Sequence, residues 1–164
     1  LDTVEKERRI VDTLVDAGDP VPTGLSAVLE DALADVRSRY PDATIEADIP
    51  EAVSVNAVPE LQDAIRELLE NAIEHAGCRP EIELRVEPEP RSVSVLIRDN
   101  APQIPGNEIE PLFGETDSSA VYHGTGLGLW LVYWIVDICD GTLGFGRTTD
   151  DTGNVVTVRL PRTT

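Results

Sequence analysis

Three glycines at alternate positions, Gly124, Gly126 and Gly128, lead without a break into Leu129-Trp130-Leu131-Val132-Tyr133-Trp134-Ile135-Val136. A chain that carries this stretch must hold an almost wholly apolar helix against a glycine-led start. Glycine has no Cβ, so its backbone takes positive φ and lies directly against a ligand. A helix beginning at about Gly126 aims free N–H groups and its positive dipole end at whatever precedes it, a geometry that favours phosphate. With apolar residues on nearly every side, the helix is expected to be buried. Read alone, the glycines also fit a simple tight turn. Two phosphate-binding patterns are excluded. A dinucleotide fingerprint needs a preceding strand and a third glycine where Leu129 stands, and a P-loop needs a lysine after the glycines. The only lysine is Lys6.

The 164 residues fit one domain with an appended segment. The chain contains no Met, which reads as a piece of a longer protein. No apolar run reaches transmembrane length and the N-terminus has no signal-peptide pattern, so this domain is expected to make no membrane contact and to lie in the cytoplasm. Asp and Glu number 31 against 13 Lys and Arg, a net charge of −18. Such a surface repels nucleic acid and anionic membrane. The charges are spread along the chain rather than gathered in a tail, which reads as adaptation to a salt-rich cytoplasm. Cys78 and Cys139 lie far apart without metal spacing and are expected as reduced, mostly buried thiols.

Apolar periodicity predicts helices over Leu1–Ala17, Ser26–Tyr40 and Val58–Ala76, and again from Gly126 to about Cys139. Gly18-Asp19-Pro20-Val21-Pro22 ends the first, Pro41 the second and Gly77 the third. Alternation predicts strands over Thr44–Ile49, Val53–Val55, Glu81–Glu87, Ser92–Arg98, Thr142–Gly146 and Asn154–Leu160. Pro88 to Arg91 reads as a hairpin loop. Residues from Asp99 to His123 are irregular and rich in Pro, Gly, Asn and Ser, a length usual for a functional lid. Strand pairs interleaved with helices imply an α+β fold with helices on one sheet face.

Three features join the glycine stretch. Glu67, Asn71 and His75 recur at four-residue spacing and share one helix face, where a carboxylate, an amide and an imidazole meet a metal-bound phosphate. Glu70 and Glu74 are equally polar, so a solvated helix face is the competing reading. Asp99 ends a strand beside a turn, where a carboxylate accepts a hydrogen bond from a base amine or merely forms the turn. Ile109-Glu110-Pro111-Leu112-Phe113 is an apolar cluster inside the irregular segment.

In order and spacing the four features resemble the histidine-kinase catalytic and ATP-binding domain of the GHKL ATPase superfamily. Glu67-Leu68-Leu69-Glu70-Asn71-Ala72 resembles its N box. Asp99-Asn100-Ala101-Pro102-Gln103-Ile104-Pro105 is similar to its first glycine box, Leu112-Phe113 sits where its F box falls, and Gly124 to Leu129 resembles its second glycine box. The resemblance runs from about Ser26 to the C-terminus, and the acidic, lysine-poor composition with it resembles a haloarchaeal sensor kinase. It implies a two-layer α/β sandwich of the Bergerat type, with a mixed, mostly antiparallel sheet and helices on one face. It implies ATP and Mg2+ as cofactors, with Asn71 as magnesium ligand and Glu67 as the catalytic residue that orients a metal-bound water or polarises the attacking imidazole. Asp99 is implied to bind the adenine amino group. The nucleotide's implied lining is Asn71, His75, Asp99, Ala101, Ile104, Gly124, Thr125, Gly126, Leu127 and Gly128.

The implied activity is transfer of the ATP γ-phosphoryl group to a histidine on a dimerisation domain absent from this chain, with a response regulator downstream. Residues 1–23 are then the end of the preceding dimerisation helix and its linker, and residues 24–164 the ATP-binding domain. Three positions depart from the pattern. Ala101 and Gln103 replace both glycines of the first glycine box, and Glu74 stands where the family often has Lys or Arg. The two losses in the first glycine box support an alternative reading, a degenerate nucleotide-binding or scaffolding module without kinase activity. A non-kinase ATPase of the same superfamily is a third.

Overall fold

In the helix spanning Leu61–Ala76, the residues Leu61, Ala64, Ile65, Leu68, Leu69, Ala72 and Ile73 recur at helical spacing and all are buried. That stripe is the centre of the molecule. A computed structural model describes residues 18–77, 79–101 and 126–163, and the elements below are those of the described residues. In chain order they are β1 (Val21–Gly24), α1 (Leu25–Arg39), β2 (Thr44–Asp48), β3 (Ser54–Ala57), α2 (Leu61–Ala76), β4 (Glu81–Pro88), β5 (Ser92–Arg98), α3 (Gly126–Ile138), β6 (Thr142–Arg147) and β7 (Asn154–Pro161).

Five strands form one sheet in the order β2-β4-β5-β7-β6. The β2–β4 pair is parallel and the other three pairs are antiparallel. The period of two sorts the side chains. Ile82, Leu84, Val86, Val93, Val95, Ile97, Val156, Val158 and Leu160 are buried, while Arg85, Glu87, Arg98 and Arg159 on the opposite face are exposed. The helices cover the apolar face, with α2 packed against both α1 and α3. This is the two-layer arrangement expected of the sequence.

Local chemistry sets the ends of α2. Its first N–H groups are taken by preceding carbonyls, Leu61 N–H by Val58 at 3.0 Å and Gln62 N–H by Pro59 at 3.4 Å. The proline pair-breaking at 59 moves the start three residues later than the periodicity suggests. The helix stops at Gly77, whose φ of +79° a residue with a Cβ resists. Helix α1 begins with Leu25 N–H bonded to the Val53 carbonyl at 2.9 Å, so the first turn is anchored to the approach of β3.

One element is missing from the sequence-based expectation. Val21–Gly24, placed among helix-breaking residues, forms an antiparallel ribbon with β3, Val21 facing Ala57 and Gly24 facing Ser54. Pro22 is compatible because the ribbon has only two strands, leaving its outer edge without ladder bonds. The expected Leu1–Ala17 helix lies outside the described residues, as do Cys78 and the irregular segment after Ala101. The described part of α3 runs over Gly126–Ile138, and only one side is sealed. Leu129, Val132, Ile135, Val136 and the following Cys139 are buried, whereas Trp130, Tyr133 and Trp134 are half-buried. No helix among the described residues is long and apolar enough to cross a membrane.

Candidate functional site

Helix α2 sorts its polar residues onto two faces. Glu70 accepts a hydrogen bond from Arg39 at 2.6 Å, and Glu74 accepts one from the Tyr40 hydroxyl at 3.0 Å, so both carboxylates turn toward α1. Arg66 joins the same side, bonded to Asp35 of α1 at 3.1 Å and to Asp63 at 2.7 Å. Glu67, Asn71 and His75 form the other column, graded from buried Glu67 through half-buried Asn71 to exposed His75. The solvated-face reading thus applies to Glu70 and Glu74. The partner of the Glu74 carboxylate is a neutral hydroxyl, which turns it toward α1 without offsetting its charge.

A small cavity of about 20 Å³ lies at the sheet end of this column, lined by Leu68, Asn71, Ala72, His75, Asp99, Leu129 and Val156. It brings Asn71 and His75 of α2, Asp99 after β5 and the first turns of α3 to one place. That volume suits about one water molecule, so it is the floor of a site rather than a nucleotide-sized cleft. Glu67 does not line it and is buried farther down the helix.

The Asp99 carboxylate is the most constrained group there, and the side chain is only 8% exposed. Its Oδ1 accepts three hydrogen bonds, from Ala101 N–H at 2.9 Å, Asn154 N–H at 3.0 Å and the Asn154 side-chain amide at 3.2 Å. The Asp99 N–H in turn donates to the Asn154 carbonyl at 3.0 Å. No described residue donates to Oδ2. A carboxylate with one oxygen saturated by buried donors is fixed in orientation, and the second oxygen is left as an acceptor for a ligand N–H.

Ala101 is buried at 1% exposure and is not among the residues with positive φ. Its Cβ therefore costs no backbone strain in the place of the family's first glycine. Gly126 is the first described residue of α3, and Gly128 in the same helix is buried. Of Leu127 only the helical backbone is described, and Gln103, Ile104, Gly124 and Thr125 lie outside the described residues.

Three residues that hold Asp99 were not singled out from the sequence. Asn154, 2% exposed, supplies two of the three bonds to Oδ1. Gly153 is required by contact, because a Cβ there would lie 1.6 Å from the Asp99 carbonyl oxygen. Arg147 lies directly opposite Asn154 across the β6–β7 pair and reaches both Asn154 Oδ1 and the Ala101 carbonyl. The sequence marks only a turn before the last strand; the approach of that turn to Asp99 depends on β7 lying beside β5.

Residues 56–164 match the model of the family described as histidine kinase-, DNA gyrase B- and HSP90-like ATPases. The chain is 29% identical over 147 residues to the sensor protein kinase PmrB of Pseudomonas aeruginosa, covering 87% of this chain and 31% of that protein. It is 30% identical over 154 residues to the probable sensor histidine kinase TcrY of Mycobacterium tuberculosis, covering 85% of this chain and 32% of that protein. The chain thus spans about a third of the length of these relatives. A solved structure of the mycobacterial sensor histidine kinase MprB has the same fold, with a TM-score of 0.71 at 22% identity over 87% of this chain and 97% of that one. The chain belongs to the histidine kinase-, DNA gyrase B- and HSP90-like ATPase family.

Proposed function

We propose that this domain binds Mg-ATP over the floor lined by Asn71, His75 and Asp99, and passes the γ-phosphoryl group to a histidine on a dimerisation domain of the same sensor kinase. The observation that carries this reading is the Asp99 carboxylate, held by three donors on one oxygen with the other left to accept. That acceptor suits the amino group of adenine. Asn71, half-buried one turn above Glu67, offers a neutral oxygen to Mg2+, an ion that keeps most of its waters and needs few protein ligands. Bound magnesium supplies charge neutralisation at the β- and γ-phosphates.

Glu67 takes the catalytic role, orienting a metal-bound water or polarising the attacking imidazole. Ala101 and Ile104 border the base, His75 meets phosphate or ribose, and Gly124, Thr125, Gly126, Leu127 and Gly128 border the phosphates. Residues 1–23 belong to the end of the dimerisation helix and its linker, and residues 24–164 to this domain. A response regulator receives the phosphoryl group in turn. The location is cytoplasmic and the source a haloarchaeon, a reading supported by 31 acidic residues and a single lysine.

The test is phosphotransfer in trans. The chain is mixed with a separately produced, histidine-bearing dimerisation domain from a related sensor kinase and γ-labelled Mg-ATP in molar KCl. Acid-labile label is expected on the added domain and none on this chain, whose own histidines are His75 and His123. Label on His75 or His123 would contradict the reading, and so would an absence of both nucleotide binding and transfer.

A further inference from the structure

The orientation of the Asn154 side chain decides what the Asp99 carboxylate meets, and Arg147 decides that orientation. A guanidinium has donors only. Arg147 Nη1 lies 3.3 Å from one end of the Asn154 amide, so that end must be the oxygen. The NH2 end then faces Asp99 Oδ1 at 3.2 Å and the Ala101 carbonyl at 3.4 Å, and both are acceptors. Turned over, the amide would set its oxygen against those two oxygens while its NH2 met a cation. The carboxylate would then lose one of its three donors and meet an oxygen in its place.

Arg147 is itself fixed at both ends. Its Nε donates to the Asp151 carboxylate at 2.8 Å and its Nη2 to the Asp151 carbonyl at 2.7 Å, while Nη1 also donates to the Ala101 carbonyl at 3.1 Å. The planar fork spans from the hairpin turn to the chain just past Asp99, a reach that an ammonium on a single stem does not duplicate.

We propose that Arg147 is a positioning residue for base selection: through the Asn154 amide it holds Asp99 Oδ1 inward, so that Oδ2 is presented to the 6-amino group of a purine. Arg147 touches no nucleotide in this scheme. The inference rests on the proposed adenine role of Asp99, and the test separates the two.

The measurement is a pair of affinities, for Mg-ATP and for the Mg complex of purine riboside triphosphate, which lacks only the 6-amino group. Wild type is expected to prefer ATP by about tenfold or more, the worth of a hydrogen bond to a charged group. Asp99→Asn should abolish that preference. If it does not, the adenine reading itself is wrong. Arg147→Met is expected to reduce the preference about three- to tenfold, the range for losing one ordinary hydrogen bond, while affinity for the purine analogue stays within about twofold. A structural lesion would instead weaken both nucleotides together.

Two further variants guard the interpretation. Arg147→Lys keeps the charge and an ion pair with Asp151 but lacks the second arm, so it should show the same loss of preference and carries the test if Arg147→Met does not fold. Asp151→Gly removes the carboxylate that holds Arg147 Nε but leaves the Asp151 carbonyl on Nη2, at a positive-φ position that glycine accepts, and should lower the preference by less than Arg147→Met does. The inference is overturned if either Arg147 variant that folds selects ATP as wild type does, if both nucleotides weaken equally, or if Asp151→Gly costs more of the preference than Arg147→Met does.

Discussion

A methyl group placed on Gly153 would lie 1.6 Å from the carbonyl oxygen of Asp99 and 2.7 Å from its carbonyl carbon. The contact is with backbone, so no side chain can rotate to relieve it. Gly153→Ala must therefore push the β6–β7 turn away from the end of β5, breaking the Asn154 bonds to Asp99. A stability loss of about 2 kcal/mol or more is expected by urea unfolding, at or above the usual cost of overpacking. Gly144, where an added Cβ meets nothing within 4 Å, provides the control, since Gly144→Ala should stay within about 0.5 kcal/mol of wild type. Equal stability of the two variants would show that the turn is free to move.

Asp99→Asn tests the proposed adenine contact directly. An asparagine can keep its oxygen among the three donors now bonded to Oδ1, which turns its NH2 toward the ligand. Two donors then face each other across the contact with the base amine. ATP affinity measured by calorimetry should fall by about 1.5–3 kcal/mol, the range for a hydrogen bond to a charged group. Unchanged affinity would remove Asp99 from base recognition.

Tyr40 supplies a pH signature of the α1–α2 packing. Partial burial and its hydrogen bond to the Glu74 carboxylate push the phenol up from 10.0 to about 12. The sign follows from the neutral phenol being favoured in the folded chain. Its contribution to stability is complete below pH 10, where the unfolded phenol is also protonated, and is lost as pH rises through about 12. Glu74→Gln removes the charged acceptor, so the Tyr40 phenolate absorbance, taken as a difference from Tyr40→Phe, should appear at lower pH than in wild type. No displacement of the titration would mean the hydroxyl and Glu74 do not interact in solution.

Salt dependence follows from the net charge of −18. Unscreened repulsion opposes compaction at low ionic strength, and at 1 M salt the screening length is only about 3 Å. The melting temperature should rise from dilute buffer to molar KCl. A flat profile would count against a salt-adapted surface.

How much of this was legible in the sequence depended on whether the relevant partners were near in the chain. The Glu67–Asn71–His75 column, the stop at Gly77 and the hairpin between β4 and β5 follow from local spacing and turn chemistry. The division of α2 into a site face and an α1 face was not decidable from spacing, because Glu67 and Glu70 are both carboxylates on the same helix. Only the positions of Arg39 and Tyr40 separate them. The β1 strand was hidden by Pro20 and Pro22, whose local preference says only that a helix must end. Gly153, Asn154 and Arg147 carried no signal of a role near Asp99, since that role comes from strand order and not from any motif.

The bonds from Asn154 to Asp99 join positions 55 residues apart. During synthesis the carboxylate therefore stays unset while the chain through α3 and β6 is made, and acquires its orientation only as the final strand emerges. A chain stopped before residue 154 lacks the strand that lies between β5 and β6, and with it both Asn154 bonds to the carboxylate. Removing β7 should therefore leave the Asp99 carboxylate with only the Ala101 N–H of its three donors.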